Sequence, residues 1–401
     1  MEDVRFNFDE IVERRGTGCV KWDDSPTVLS GSAAESSADE PAIIPLWVAD
    51  MDFAVAPAIQ EAIKRRAEHP VYGYTYVMED YYDAVISWFK RHHAWEIQRE
   101  WILYTTGVVP AMSVAIKALT MPGERVLILS PDYNCFFSSI KNNGCEVAEC
   151  VPRFSRSNNR FEVDWQDFEA QCADEKTTVF LLCNPHNPTG RVWTREELEQ
   201  MRDICRRHQV RIVSDEIHCE LIMPGHTFCP MGTVDADAVI LNSPSKSFNI
   251  AGLMMANIIC QDAATRRRID RAININEVCD VNPFAPEAVK AAYNESGEWI
   301  DALNLYLWDN YSVLCDFVAQ NIPQWRVMPL EGTYLVWVDC SASSDNVAAY
   351  CDRILREARV WLNPGTMYGA RSGEGFLRIN IACPRSLLME ALSRIKNMPR
   401  T

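Results

Sequence analysis

The sequence predicts an α/β protein, with a large domain on an open, mostly parallel sheet and a smaller α+β domain. Three observations carry this expectation. Between about residues 100 and 260, short apolar strand patterns alternate with helical ones. After Gly297 the pattern changes to one long amphipathic helix followed by strands and helices of mixed order. A chain of 401 residues with 48% hydrophobic content is long enough for two cores.

The strand candidates are residues 101–105, 125–129, 178–183, 211–214, 238–241 and 255–260. A helix over 110–119 starts at Pro110, which suits a first turn. Another follows Thr194, because Thr194-Arg195-Glu196-Glu197 is a capping box and Leu198, Met201 and Cys205 fall on one face. Residues 31–41 are small and polar and read as a flexible loop. Beyond Gly297 come a helix toward Asn321, a strand over 333–340, a helix over 346–358 with Ser344 at its expected N-cap, a strand over 376–383 and a helix after Pro384. The expected division is a large domain over 56–294 and a small one from 1–55 and 295–401.

The net charge of −16 argues against a nucleic-acid or anionic-membrane partner, but leaves an anionic substrate open. Residues 1–10 are acidic and carry no apolar signal core, and no apolar run reaches the ~20 residues of a membrane span. The fifteen cysteines are scattered, without a Cys-x-x-Cys pair. They read as reduced, mostly buried thiols of a cytoplasmic protein. His218, Cys219, His226 and Cys229 lack the paired short spacings of a structural zinc site.

In an open parallel sheet, ligands bind beyond the carboxyl ends of the strands. Lys246 stands just past the strand at 238–241, among Ser243, Ser245 and Ser247. That is a poor place for a surface charge and a good one for a Schiff base with a carbonyl cofactor. Pyridoxal 5′-phosphate (PLP) needs such a lysine, an acid for its ring nitrogen and a cradle for its phosphate. Asp215, at the end of the strand at 211–214, can pair with a protonated ring nitrogen or cap a neighbouring helix. Asn187, in Asn184-Pro185-His186-Asn187-Pro188-Thr189-Gly190, can present an amide to a phenolic oxygen. Tyr133 can stack on a ring or simply pack. The helix opening at Thr106-Gly107-Val108-Val109-Pro110 offers backbone N–H groups to a phosphate, or is an ordinary turn. Ser243 or Ser245 can add hydroxyls. Arg378 lies inside an apolar strand, where it suits a substrate carboxylate or a structural salt bridge. Ser243-Pro244-Ser245-Lys246 and Ser344-Asp345-Asn346 match two acyl-transfer motifs, but the third, Lys-Thr-Gly, is absent.

With these segments in order, the chain resembles the fold-type I PLP enzymes of the aspartate aminotransferase superfamily. Within them it is most similar to the MalY/PatB-type cystathionine β-lyases, or C–S lyases. The shared marks include Pro45-Leu46-Trp47-Val48-Ala49-Asp50-Met51-Asp52-Phe53, Tyr72-Gly73-Tyr74, Gly107-Val108-Val109-Pro110 and Ser214-Asp215-Glu216-Ile217-His218. They also include Ser245-Lys246-Ser247-Phe248-Asn249-Ile250-Ala251-Gly252-Leu253 and Phe376-Leu377-Arg378-Ile379-Asn380. The resemblance implies a PLP-dependent transferase-like fold and a homodimer with shared active sites. It places Val108, Val109, Tyr133, Asn187, Asp215, His218, Ser243, Ser245 and Lys246 around the cofactor. Tyr74 would reach the partner subunit's cofactor phosphate, and Ala49, Asn187 and Arg378 would meet the substrate carboxylate. Two positions depart from the pattern. Met254 stands where many aminotransferases have a phosphate-binding arginine, and Glu220 where the lyase group often has aspartate. The implied activity is β-cleavage of L-cystathionine or related cysteine S-conjugates to a thiol, pyruvate and ammonia. An aminotransferase and a PLP-bound regulatory protein remain open as alternatives.

Overall fold

The computed structural model describes residues 6–24, 41–155, 157 and 159–399. The loop expected at 31–41 lies outside these residues, apart from Pro41. A seven-stranded sheet forms the centre of the molecule. Its strands are β1 (Ile102–Thr105), β2 (Arg125–Leu129), β3 (Glu146–Cys150), β4 (Thr177–Cys183), β5 (Arg211–Asp215), β6 (Val239–Asn242) and β7 (Ala256–Cys260), in the order β1-β7-β6-β5-β4-β2-β3. All are parallel except β7, which runs antiparallel to both neighbours.

Both faces of this sheet are covered, so its strands read as continuous apolar runs rather than alternating ones. Side chains still alternate in direction. Leu127, Leu129, Phe180, Leu182 and Ile240 enter one core. Val126, Ile128, Val179, Leu181 and Leu241 enter the other, with α1 (Val108–Leu119) and α2 (Ala263–Ile275). The capping box expected at Thr194 is formed, and it starts the helix Arg195–Arg207.

A second sheet of four antiparallel strands is built from Arg326–Val327, Leu335–Asp339, Phe376–Asn380 and Asn363–Pro364, in that spatial order. The helices Gly297–Asn321, Val347–Ala358 and Arg385–Lys396 accompany it in sequence. The cap of Val347–Ala358 differs from expectation. Asn346 accepts the Ala349 N–H, while Ser344 accepts the N–H of Asn346 one step earlier. Ile44–Pro45 pairs in parallel with Val360–Trp361, tying the start of the chain to its end. All fifteen cysteines are free. No helix among the described residues is long and apolar enough to cross a membrane.

Candidate active site

The carboxyl ends of the parallel strands open into one cavity. Lys246, Asp215, Asn187, Tyr133, His218, Ser245, Val108, Val109 and Ala49 all line it. Strand pairing explains part of this convergence: Cys183, four residues before Asn187, sits opposite Asp215 in the β4–β5 register.

The Lys246 amine donates to the Ala49 carbonyl at 2.6 Å, across 197 residues of sequence. The Tyr334 hydroxyl donates to the same oxygen at 3.0 Å. Burial lowers the lysine pKa, partly offset by Asp50 and Asp215, so the neutral amine is favoured more than at a surface. Asp215 is 3% exposed and accepts only the Ile217 N–H, at 3.1 Å. Burial pushes its carboxyl up to about 7, against the opposing pull of that N–H and of Lys246. A buried carboxylate of this kind needs a close cation, and no salt bridge supplies one among the described residues. A protonated ring nitrogen would.

Arg378 is buried in the middle of its sheet, paired with Trp337 and Asn363. Its guanidinium donates to Asn187 Oδ1 at 3.1 Å and to the Trp47 carbonyl at 2.7 Å, while its Nε has no partner. Only neutral acceptors and the Tyr368 ring, 4.7 Å away, surround it. The structural salt bridge is therefore not made, and the charge remains available to an anion. Arginine only donates, so it fixes the Asn187 amide with its oxygen toward Arg378 and its NH₂ free. His218 Nδ1 is buried without a partner. Burial, with Lys246 and Arg378 nearby, pushes His218 down to about 3, so its ring is neutral.

At the helix opening, Gly107 has φ +140°, a conformation that side-chain-bearing residues rarely adopt. It turns the chain so that the first amides of α1, at Val108 and Val109, begin the helix at the cavity wall. Those amides have no intrahelical acceptor. Met254 lines the cavity. The amine and carboxyl, neither with a counter-charge, the Asn187 amide and the helix-start donors together match the polar groups of PLP.

Three expected residues do not line the cavity, and of these Arg378 still touches it through Asn187. The Ser243 hydroxyl donates to the Met255 carbonyl at 2.7 Å and does not line the cavity, so it is engaged within the fold. Its hydrogen bond and the Lys246–Ala49 contact also leave the acyl-transfer motif without a serine–lysine pair. Tyr74 is fully exposed at 101%, outside the cavity. The sequence reading missed Tyr334 and the supports of the 47–53 segment. Asn249 bonds Met51 and Phe53 through both ends of its amide, and Asn380 donates to Val48 O and Asp50 O. Asn249 and Asn380 stand inside the shared motifs, but no role was read for them, because the atoms they hold are backbone groups of the 47–53 segment. Glu220 accepts Trp88 Nε1 at 2.6 Å and His93 Nε2 at 2.9 Å, a buried structural pairing.

A family model described as aminotransferase class I and II matches residues 41–395. The chain belongs to that family. Within the class I and II aminotransferases it is similar to the cystathionine β-lyase PatB of Bacillus subtilis (strain 168), with 37% identity over 98% of this chain and 99% of the relative. It is 33% identical to the protein MalY of Escherichia coli (strain K12), over 98% of this chain and 99% of that one. Among solved structures, a PLP-bound C–S lyase from Staphylococcus hominis superposes with a TM-score of 0.90 at 31% identity, covering 98% of both chains. The fold expected from the sequence is the one found, the PLP-dependent aminotransferase fold.

Proposed function

We propose that this protein is a PLP-dependent carbon–sulfur β-lyase. It cleaves L-cystathionine or related cysteine S-conjugates, with water, to a thiol, pyruvate and ammonia. The carrying observation is full-length likeness, at 37% identity, to a cystathionine β-lyase. The enclosed amine beside a buried acid and an unpaired arginine supports it.

PLP, when bound, supplies a carbonyl for the substrate amine and a ring that accepts electrons from the α-carbon. The protein's own groups do the rest. Asp215 would hold the proton on the ring nitrogen. The Asn187 NH₂ would donate to the phenolic oxygen, and Tyr133 would pack on the ring. The Val108 and Val109 amides and the Ser245 hydroxyl would hold the phosphate, with His218 a neutral neighbour. Arg378, with Asn187 and the backbone at Ala49, orients the substrate carboxylate. Lys246 Nζ, its pKa lowered by burial, takes the α-proton, after which the sulfur leaves Cβ. Tyr74, exposed in a single chain, completes the phosphate site of a second copy in a homodimer. On this reading the protein is cytoplasmic, with a large domain over 56–294 and a small one from 1–55 and 295–401.

Purified holoenzyme mixed with L-cystathionine tests this. Pyruvate and free thiol should rise together in one-to-one ratio. Keto acid formed only when an acceptor keto acid is present would identify an aminotransferase instead. Neither product, with PLP bound, would favour the regulatory alternative.

A further inference from the structure

Beneath the cavity lies a pair of buried polar groups that the chemistry above does not use. Asp132 Oδ2 and His186 Nε2 face each other at 3.9 Å, each side chain 1% exposed. Neither atom has a hydrogen-bond partner. Their other polar atoms are occupied. Asp132 Oδ1 accepts the Tyr133 N–H at 2.7 Å, and His186 Nδ1 bonds Thr189 Oγ1 at 2.7 Å. Two complementary buried groups 3.9 Å apart, each left with one free atom, are costly unless they bond.

We propose that Asp132 and His186 form a neutral hydrogen-bonded latch, the Asp132 carboxyl proton donated to His186 Nε2, which holds Tyr133 and Asn187 in place around the cofactor. The loops it joins carry the relevant side chains. Tyr133 follows Asp132, and the Asp132 backbone N–H donates to Tyr368 O at 2.7 Å, beneath Arg378. Asn187 follows His186 and bonds Arg378. A neutral latch adds no second negative charge beside Asp215, which a buried site could not easily hold. Burial acts in the same sense, pushing Asp132 well above the usual carboxylate range and His186 down to about 3. Both are positioning residues, because neither lines the cavity.

The proposal separates variants by their donors. Asp132→Asn keeps an N–H for Nε2 and should bind PLP within about twofold of the original protein. Asp132→Val and His186→Phe should each weaken PLP binding ~10-fold, and the double variant should be no weaker than the poorer single. PLP affinity is read by titrating cofactor-stripped protein, with folding checked by circular dichroism. Equal loss in Asp132→Asn and Asp132→Val, or losses that multiply in the double variant, would overturn the latch. If the apolar variants do not fold, nitrogen-15 spectra of the unaltered holoenzyme still test it. His186 should be a neutral imidazole with its proton on Nδ1, and a proton on Nε2 would rule the latch out. The PLP titrations rest on the cofactor reading above. The nitrogen spectra do not, so the two failures can be told apart.

Discussion

Two clusters of buried charge in this chain are built on opposite principles. In the N-terminal cluster every charge meets another. Lys21 Nζ lies 2.7 Å from Asp52 Oδ2, Arg14 reaches Asp52 at 2.6 Å and Asp50 at 2.7 Å, and Trp22 Nε1 donates to Asp52 at 2.8 Å. At and beside the cavity, Lys246 and Arg378 touch only carbonyl and amide oxygens, and Asp215 only a backbone N–H. A buried charge left without its counter-charge is costly to a fold and is a mark of a binding site. The first cluster holds the 50–52 segment in place. The second leaves its charges for a ligand that brings the missing partners.

Altering each cluster should therefore give different losses. Lys246→Ala should lower turnover by ~10⁴-fold or more while the protein stays folded. Near-normal thiol release from it would remove Lys246 from its role. Lys21→Met leaves Asp52 with Arg14 as its remaining cation, and should lower unfolding stability by about 2 kcal/mol in denaturant titrations. If it instead abolished turnover at unchanged stability, the contrast between the clusters would fail.

Asp215 supplies a pH test. Its folded-state value of about 7 lies above the ordinary 3.8, so the folded protein holds the proton more tightly than the unfolded chain. Below about pH 4 there is no penalty. As pH rises toward about 7, the unfolded chain ionises first, and PLP-stripped protein should lose roughly 4 kcal/mol, at about 1.4 kcal/mol per unit. Asp215→Asn should remove Asp215's share of the slope, and bound PLP should reduce it. Glu216, pushed up to about 8 by burial, and Asp132, also raised by burial, keep most of their own contribution in both proteins, because Asp215 is a lesser cause of either shift. Identical slopes in stripped original and Asp215→Asn protein would mean that Asp215 is not held in this way. The smallest change is expected at Arg378. Arg378→Ala should raise KM ~100-fold, about 3 kcal/mol, with a smaller change in kcat.

Much of the central sheet was legible, because each strand is an apolar run set between helical patterns. The observed bounds of β2 and of the helix Gly297–Asn321 coincide with the expected ones. The edge strand β3 was not. Its Glu146 and Glu149 are exposed, so no apolar run marks it. The antiparallel direction of β7 was also hidden, since strand composition carries no direction. Of the candidate residues, those just past strand ends converge, because parallel strands deliver their ends to one edge. Tyr334 illustrates what remained hidden: it was read as part of a strand, and only the fold brings its hydroxyl, with the Ala49 carbonyl, to Lys246. Ser243 shows the converse: its position after a strand suggested the phosphate, but the nearby Met255 carbonyl takes its proton.

The contrast between the two buried lysines is tested most directly by chemical trapping. PLP-loaded protein is reduced with borohydride, digested and analysed by mass spectrometry to locate the pyridoxyl group. It should be found on the peptide carrying Lys246, in about one copy per chain. Label on Lys21 or another lysine, or no label on fully PLP-loaded protein, would contradict the assignment of the open cluster as the cofactor site.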